Sequence, residues 1–129
     1  MDLCTGRLHI TVDRNRLKGR YDSFVNSRQA IEDGKSLVFY PEGGIYTKNA
    51  PEMVPFKDGA FRLAIEKQIP LVPYNWIILP PDEFLLRQGN VRVIFHEPIE
   101  TTGMTLTDVD QLKQRVFNTI EKELSKHKK

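Results

Sequence analysis

The sequence predicts an α/β fold, a mostly parallel sheet with helices packed on it. Three observations carry that expectation. Short runs of β-branched, aliphatic and aromatic residues recur at 8–12, 36–40, 70–79 and 91–99. Stretches with helical spacing separate the first three runs, and strands joined through helices favour parallel pairing. The run "LVFYPEGGI" (37–45) passes from apolar residues straight into Pro41, Glu42, Gly43 and Gly44, as a buried strand does where it surfaces. In sheets of this kind ligands collect at the carboxyl ends of strands.

Each element has its own local reason. "LHITV" (8–12) alternates around β-branched residues and reads as a strand ending at Asp13-Arg14. Asp22 or Ser23 can cap a helix through about Asp33, with Phe24, Val25 and Ile31 inward and Gly34 at the C′ position. "SLVFY" (36–40) is expected as a buried strand, and a long loop then runs from Pro41 to Lys57. Loops of that length in small domains are disproportionately functional.

"DGAFRLAIEKQ" (58–68) places Ala60, Phe61, Ala64 and Ile65 on one helical stripe. "PLVPYNWIIL" (70–79) and "VRVIFHEPI" (91–99) are the remaining strands, with Tyr74 and Trp76 most simply core. Thr107 with Asp110 resembles a capping box for a last helix. Val109, Leu112, Val116, Ile120 and Leu124 mark that helix's buried face before "SKHKK" frays. With no internal repeat, linker or low-complexity segment, a single domain over 1–129 is expected.

Bulk composition narrows the function classes. The 129 residues carry 40% hydrophobic and 28% charged side chains, an ordinary globular balance. A formal charge of +2 argues neither for nor against nucleic acid or anionic lipid, so electrostatic arguments must be local. The single cysteine, Cys4, cannot form an internal disulfide, which fits a reducing compartment. The histidines His9, His96 and His127 lie far apart, without metal-site spacing to Cys4. The longest apolar stretch, 69–80, is too short to span a bilayer and is interrupted by Pro73 and Asn75.

Two stretches could carry chemistry. At "YPEGG" the glycines can present backbone N–H groups to an anion, while Glu42 can hold a basic side chain or accept a substrate hydroxyl. An ordinary strand-ending turn with a solvated carboxylate is the plain alternative. The cluster Arg14, Arg16, Lys18 and Arg20 is either a solvated surface or, through Arg14, a phosphate-binding neighbour of that turn. His9 and Asp13 would be about 13 Å apart along a strand, too far for a direct pair. His96 reads as a surface or packing residue, and His127 as tail.

"VDR" (12–14), "VFYPEGG" (38–44), "FKDGAFRLA" (56–64) and "IPLVPYNW" (69–76) occur in the order and spacing of the glycerolipid acyltransferases. The chain resembles the 1-acylglycerol-3-phosphate acyltransferases of that family over roughly residues 8–78. The resemblance implies that Arg14, Glu42 and Gly43 bind the glycerol phosphate of a lysophosphatidate-type acceptor, with Pro73 shaping the site. It implies acyl-CoA or acyl-carrier protein as co-substrate, with no resident cofactor or metal.

Two departures qualify it. Gly44, Ile45 and Tyr46 stand where the family has Thr, Arg and Ser, so one phosphate-binding arginine is missing. The family's His-x-x-x-x-Asp block, which supplies the general base, is also absent: five residues after His9 is Arg14, and after His96 is Thr101. No catalytic residue is therefore assigned in this chain. The expectation is an incomplete acyltransferase domain, the acceptor-binding C-terminal portion of a longer enzyme.

That reading places the protein in the cytoplasm, peripherally at the inner face of the membrane, with exposed sheet surface available for self-association. The competing reading is a non-catalytic lipid- or phosphate-binding module. Nucleic acid is not an expected partner, because no aromatic residues interleave with the basic ones in a recognisable binding motif.

Overall fold

The structure, a computed structural model, describes residues 10, 15–43, 52–78 and 91–127. Two units divide the chain, Met1–Phe39 and Tyr40–Lys129. In the first, helix α1 runs Leu17–Glu32, beginning five residues before the earlier of the two expected caps. Its N-cap is Arg16, whose side chain makes no cap bond, and its first turn holds no acidic residue. Its C-terminus follows the expectation. Gly34 has φ 79°, and the N–H groups of Gly34 and Lys35 donate to the carbonyls of Ile31 and Ala30 at 2.9 and 3.0 Å. This is a Schellman closure, and the positive φ explains glycine there.

In the second unit the order is α2 (Gly59–Lys67), β1 (Tyr74–Ile78), β2 (Val91–Phe95), a 3-10 turn (Leu106–Asp108) and α3 (Val109–Lys126). The core gathers Phe56, Phe61, Ile65, Ile99, Val109, Leu112 and Val116. Full burial of such a side chain contributes about 1.5–3 kcal/mol. Both amphipathic stripes read from the sequence supply this core. Leu63, outside the stripe expected for α2, is buried as well, so that helix is covered on more than one side.

A polar lattice holds α2 against the segment before α3. Thr101 is 0% exposed, and its hydroxyl lies 3.2 Å from the carbonyl of Ala64 and 2.7 Å from that of Ile69. Gln68 ends α2 at φ 52°, a left-handed conformation that costs a non-glycine residue about 1–2 kcal/mol. Its side chain offsets that cost. The amide donates to the carbonyls of Ile65 (2.6 Å) and Met104 (3.0 Å), and Oε1 accepts the Gly103 N–H at 2.6 Å.

The capping box before α3 is Thr105 with Asp108, two residues earlier than the expected Thr107 and Asp110. The 3-10 turn explains the shift, since the box closes that turn and α3 continues from it.

The expected mostly parallel sheet requires correction. Helices and strands are both present, as an α/β chain demands, but the described residues form one two-stranded sheet, and it is antiparallel. Tyr74 pairs with Phe95, Trp76 with Val93 and Ile78 with Val91, and Leu71 bridges Ile99 beyond the strand ends. An antiparallel partner returns alongside its neighbour and needs no crossover.

Residues 36–40 join no strand among the described residues, and Val38 and Tyr40 are exposed. An apolar run becomes a strand only where another strand takes its backbone hydrogen bonds. The first expected strand, 8–12, lies outside the described residues except for Ile10, which has no regular structure. Trp76, expected in the core, is 57% exposed. The alternation was read correctly, but the face that Trp76 shares with Val93 is the open one.

The opposite face of β1 is anchored through Asn75, which is 3% exposed. Its Nδ2 donates to the Ile120 carbonyl of α3 at 3.1 Å, and its Oδ1 lies 2.7 Å from His96 Nε2. With the amide nitrogen committed to α3, His96 must donate, which selects its Nε2–H tautomer. The packing role expected for His96 is thereby given its partner.

Candidate functional site

The site is built on the loop that leaves Tyr40 and returns at Lys57. Tyr40 to Gly43 make a turn closed by the Gly43 N–H donating to the Tyr40 carbonyl at 2.9 Å. Gly43 has φ 74°, where a side chain would strain the backbone. The Lys57 N–H donates to the Pro41 carbonyl at 2.8 Å, and the Val54 N–H donates to Glu42 Oε2 at 3.1 Å. Both limbs of the loop are thus tied at its base. Glu42 is half-buried and braced across twelve positions of chain.

Phe56 anchors the returning limb in the core. Its ring lies 6.2 Å from Phe61 in a stacked arrangement and 5.0 Å from Phe117 edge-on. Such aromatic pairs add about 0.5–1.5 kcal/mol beyond the area they bury. The outgoing limb is held from the other side. Burial, and then the hydroxyl of Tyr40 to which it is hydrogen-bonded, push the Tyr74 phenol above its ordinary range.

Lys57, next after the Phe56 anchor, lies across Gly43. A Cβ built on Gly43 would come 2.9 Å from Lys57 Cε, 3.1 Å from Cδ and 3.6 Å from Nζ. The positive φ is what calls for glycine here, since the flexible end of the lysine could move aside for a Cβ. One residue further on, Asp58 accepts a 2.7 Å ion pair from Lys113, which also meets Asp110 at 3.3 Å. That pair ties the start of α2 to α3.

Of the residues singled out from sequence, the structure places Glu42 and Gly43 together at this turn. Arg14 and Gly44 lie outside the described residues. Arg16 precedes α1, and Lys18 and Arg20 fall in its first turns. Pro73 is buried just before β1, and its carbonyl accepts the His96 N–H at 2.9 Å. Sequence reasoning missed Val54 as the partner of Glu42, because a backbone donor leaves no residue-type signal. It also passed over Lys57, although "FKDG" stood inside a block already singled out.

Among the described residues no group of three or more His, Cys, Asp or Glu is placed to hold a metal ion. No described helix is long and apolar enough to cross a membrane.

This turn lies within the stretch that matches a known family. The profile of the acyltransferase family matches residues 3–76, a stretch containing all four blocks quoted above. The chain is 28% identical over 109 residues to an uncharacterized acyltransferase of Schizosaccharomyces pombe, covering 80% of this chain and 39% of that protein. It is 31% identical over 121 residues to the 1-acyl-sn-glycerol-3-phosphate acyltransferase of Haemophilus influenzae, covering 91% of this chain and 49% of the relative. To the human 1-acyl-sn-glycerol-3-phosphate acyltransferase alpha it is 34% identical over 120 residues, 86% of this chain and 40% of that one. The chain thus spans less than half the length of these curated relatives. No solved structure matches it. With Glu42, Gly43 and the helix that follows them all inside the matched stretch, the chain belongs to the glycerolipid acyltransferase family.

Proposed function

We propose that this chain serves phospholipid synthesis as the acceptor-binding part of an acyltransferase that esterifies 1-acylglycerol-3-phosphate. The observation that carries the reading is the braced Glu42–Gly43 turn within the family-matched stretch. Names of relatives supply the substrate class, since those from bacterium and human are 1-acyl-sn-glycerol-3-phosphate acyltransferases.

The acyl donor is a thioester, acyl-CoA or acyl-carrier protein. The acceptor's free hydroxyl attacks the thioester carbonyl, the C–S bond breaks as the new ester C–O bond forms, and the hydroxyl proton ends on the departing thiol through a general base. Arg14, Glu42, Gly43 and Gly44 hold the acceptor, and attack is direct because no side chain here is an activated nucleophile. Contact with the membrane is peripheral, at the cytoplasmic face. The exposed Trp76, Val93 and Phe95 support self-association through the open side of the sheet.

No histidine of this chain is followed five residues later by aspartate, so residues 1–129 alone are expected to show no turnover. A positioned base contributes on the order of 100- to 10,000-fold. The test follows thiol release from acyl-CoA in the presence of lysophosphatidate. The chain alone should be silent, and joining a relative's His-x-x-x-x-Asp segment ahead of it should produce activity that Glu42→Gln weakens. If the joined protein stays silent yet binds lysophosphatidate, the non-catalytic binding module replaces this reading. Turnover by residues 1–129 alone that His9→Ala abolishes would overturn the assignment of the base.

A further inference from the structure

We infer that Lys57 is a cation that holds the phosphomonoester of the ligand, its stem laid over Gly43 at the turn. The inference rests on the acceptor-binding reading above and names the group that recognises the acceptor's charge.

A phosphomonoester carries nearly two negative charges near neutral pH, and its binding demands a cation close to the backbone that positions it. In the segments that build the described base of the loop, 40–43 and 52–57, the only basic residue is Lys57. Glu42 contributes a negative charge there and would repel the ligand unless a cation stood beside it.

Lys57 is held where that need arises, and by several independent contacts. Its N–H is bonded to the Pro41 carbonyl at 2.8 Å, so its backbone is pinned to the turn. The preceding residue, Phe56, is fixed in the core by two aromatic contacts. The stem then passes over Gly43, with Nζ 3.6 Å from where a Cβ would stand. The residue as a whole is exposed.

The chemistry recognised is a phosphomonoester, whether on a lysophospholipid headgroup or a free small molecule. The experiment titrates residues 1–129 and variants by calorimetry with lysophosphatidate in nonionic micelles. Parallel titrations use the monoacylglycerol of the same chain length, and sn-glycerol 3-phosphate without detergent. Lys57→Gln should weaken lysophosphatidate binding about tenfold or more and spare monoacylglycerol, the loss expected for a charge-assisted hydrogen bond. Lys57→Arg should keep most of the affinity. A matching loss with sn-glycerol 3-phosphate also supports the assignment and shows that the headgroup suffices.

If the parent chain binds lysophosphatidate and Lys57→Gln binds it equally well, the lysine assignment falls while the acceptor-binding reading stands. Equal loss of monoacylglycerol binding would likewise overturn it, by making Lys57 a packing residue. A parent chain that binds neither phosphate-bearing ligand overturns both readings together.

Discussion

Helices α1 and α3 are nearly the same length, 16 and 18 residues, yet they are held by different forces. α3 buries Val109, Leu112 and Val116, enters through a reciprocal capping box and carries the Asn75 tether and the Lys113 ion pair. α1 buries only Ser27, whose hydroxyl donates back to the Ser23 carbonyl at 2.8 Å, while Leu17, Tyr21 and Val25 are exposed. Its N-terminus has neither a side-chain cap nor an acidic residue, and Lys18 stands near the positive end of the helix dipole. The difference teaches that two helices of similar length can bury very different amounts of apolar side chain. Rigidity comes from an apolar stripe with something to press against.

Substitutions at matched positions should expose this difference, and the largest effect belongs to the core. Phe61→Ala, at a site 2% exposed, should cost about 3–5 kcal/mol in denaturant melts. Val25→Ala in α1, at a half-open site, should stay within about 0.5 kcal/mol. Equal losses would show that α1 is as tightly packed as α2 and α3.

Next come the helix ends. Thr105→Ala removes one half of the capping box and should destabilise α3 by about 1 kcal/mol. Arg16→Ser should instead stabilise α1, by up to about 1 kcal/mol, because it supplies the missing cap. Amide hydrogen exchange resolves the two helices separately. Opposite signs are expected, and the same sign in both would break the contrast.

The smallest effect concerns charge. The hydrogen bond to Asp58, reinforced by Asp110, raises Lys113 above its ordinary value of 10.5. The stabilisation it lends is therefore complete below that value and is lost as pH rises through the folded-state pKa. Largely solvated pairs contribute little, so Asp58→Asn should cost at most about 0.5 kcal/mol near neutral pH. The wild-type and variant stability curves should converge above the lysine range, and curves that stayed parallel there would remove the ion pair from the account.

Much of the local structure was legible beforehand. The stripes of α2 and α3 were readable because residues three and four apart share a helical face whatever surrounds them. Gly34 could be placed because a left-handed residue after a helix favours glycine for purely local reasons. Glu42 and Gly43 stood out as a carboxylate and a turn former set side by side at the end of an apolar run. Thr105 was harder to place, because a 3-10 turn shifts a capping box without altering its residue types. Gln68 gave no signal at all. Its left-handed backbone depends on bonds to Met104 and Gly103, more than thirty positions away.

Local stereochemistry and periodicity, which need only the chain's own neighbours, were enough for this sequence to determine the stripes of α2 and α3 and the glycines at 34 and 43. The resemblance of its ordered blocks supplied the family. Three features waited for tertiary structure: the antiparallel direction of β1 and β2, the exposure of Trp76, and the passage of Lys57 over Gly43. Each depends on which distant segment arrives alongside. A strand's pairing and open face are chosen by its partner, and a lysine's position by the core that anchors the phenylalanine before it.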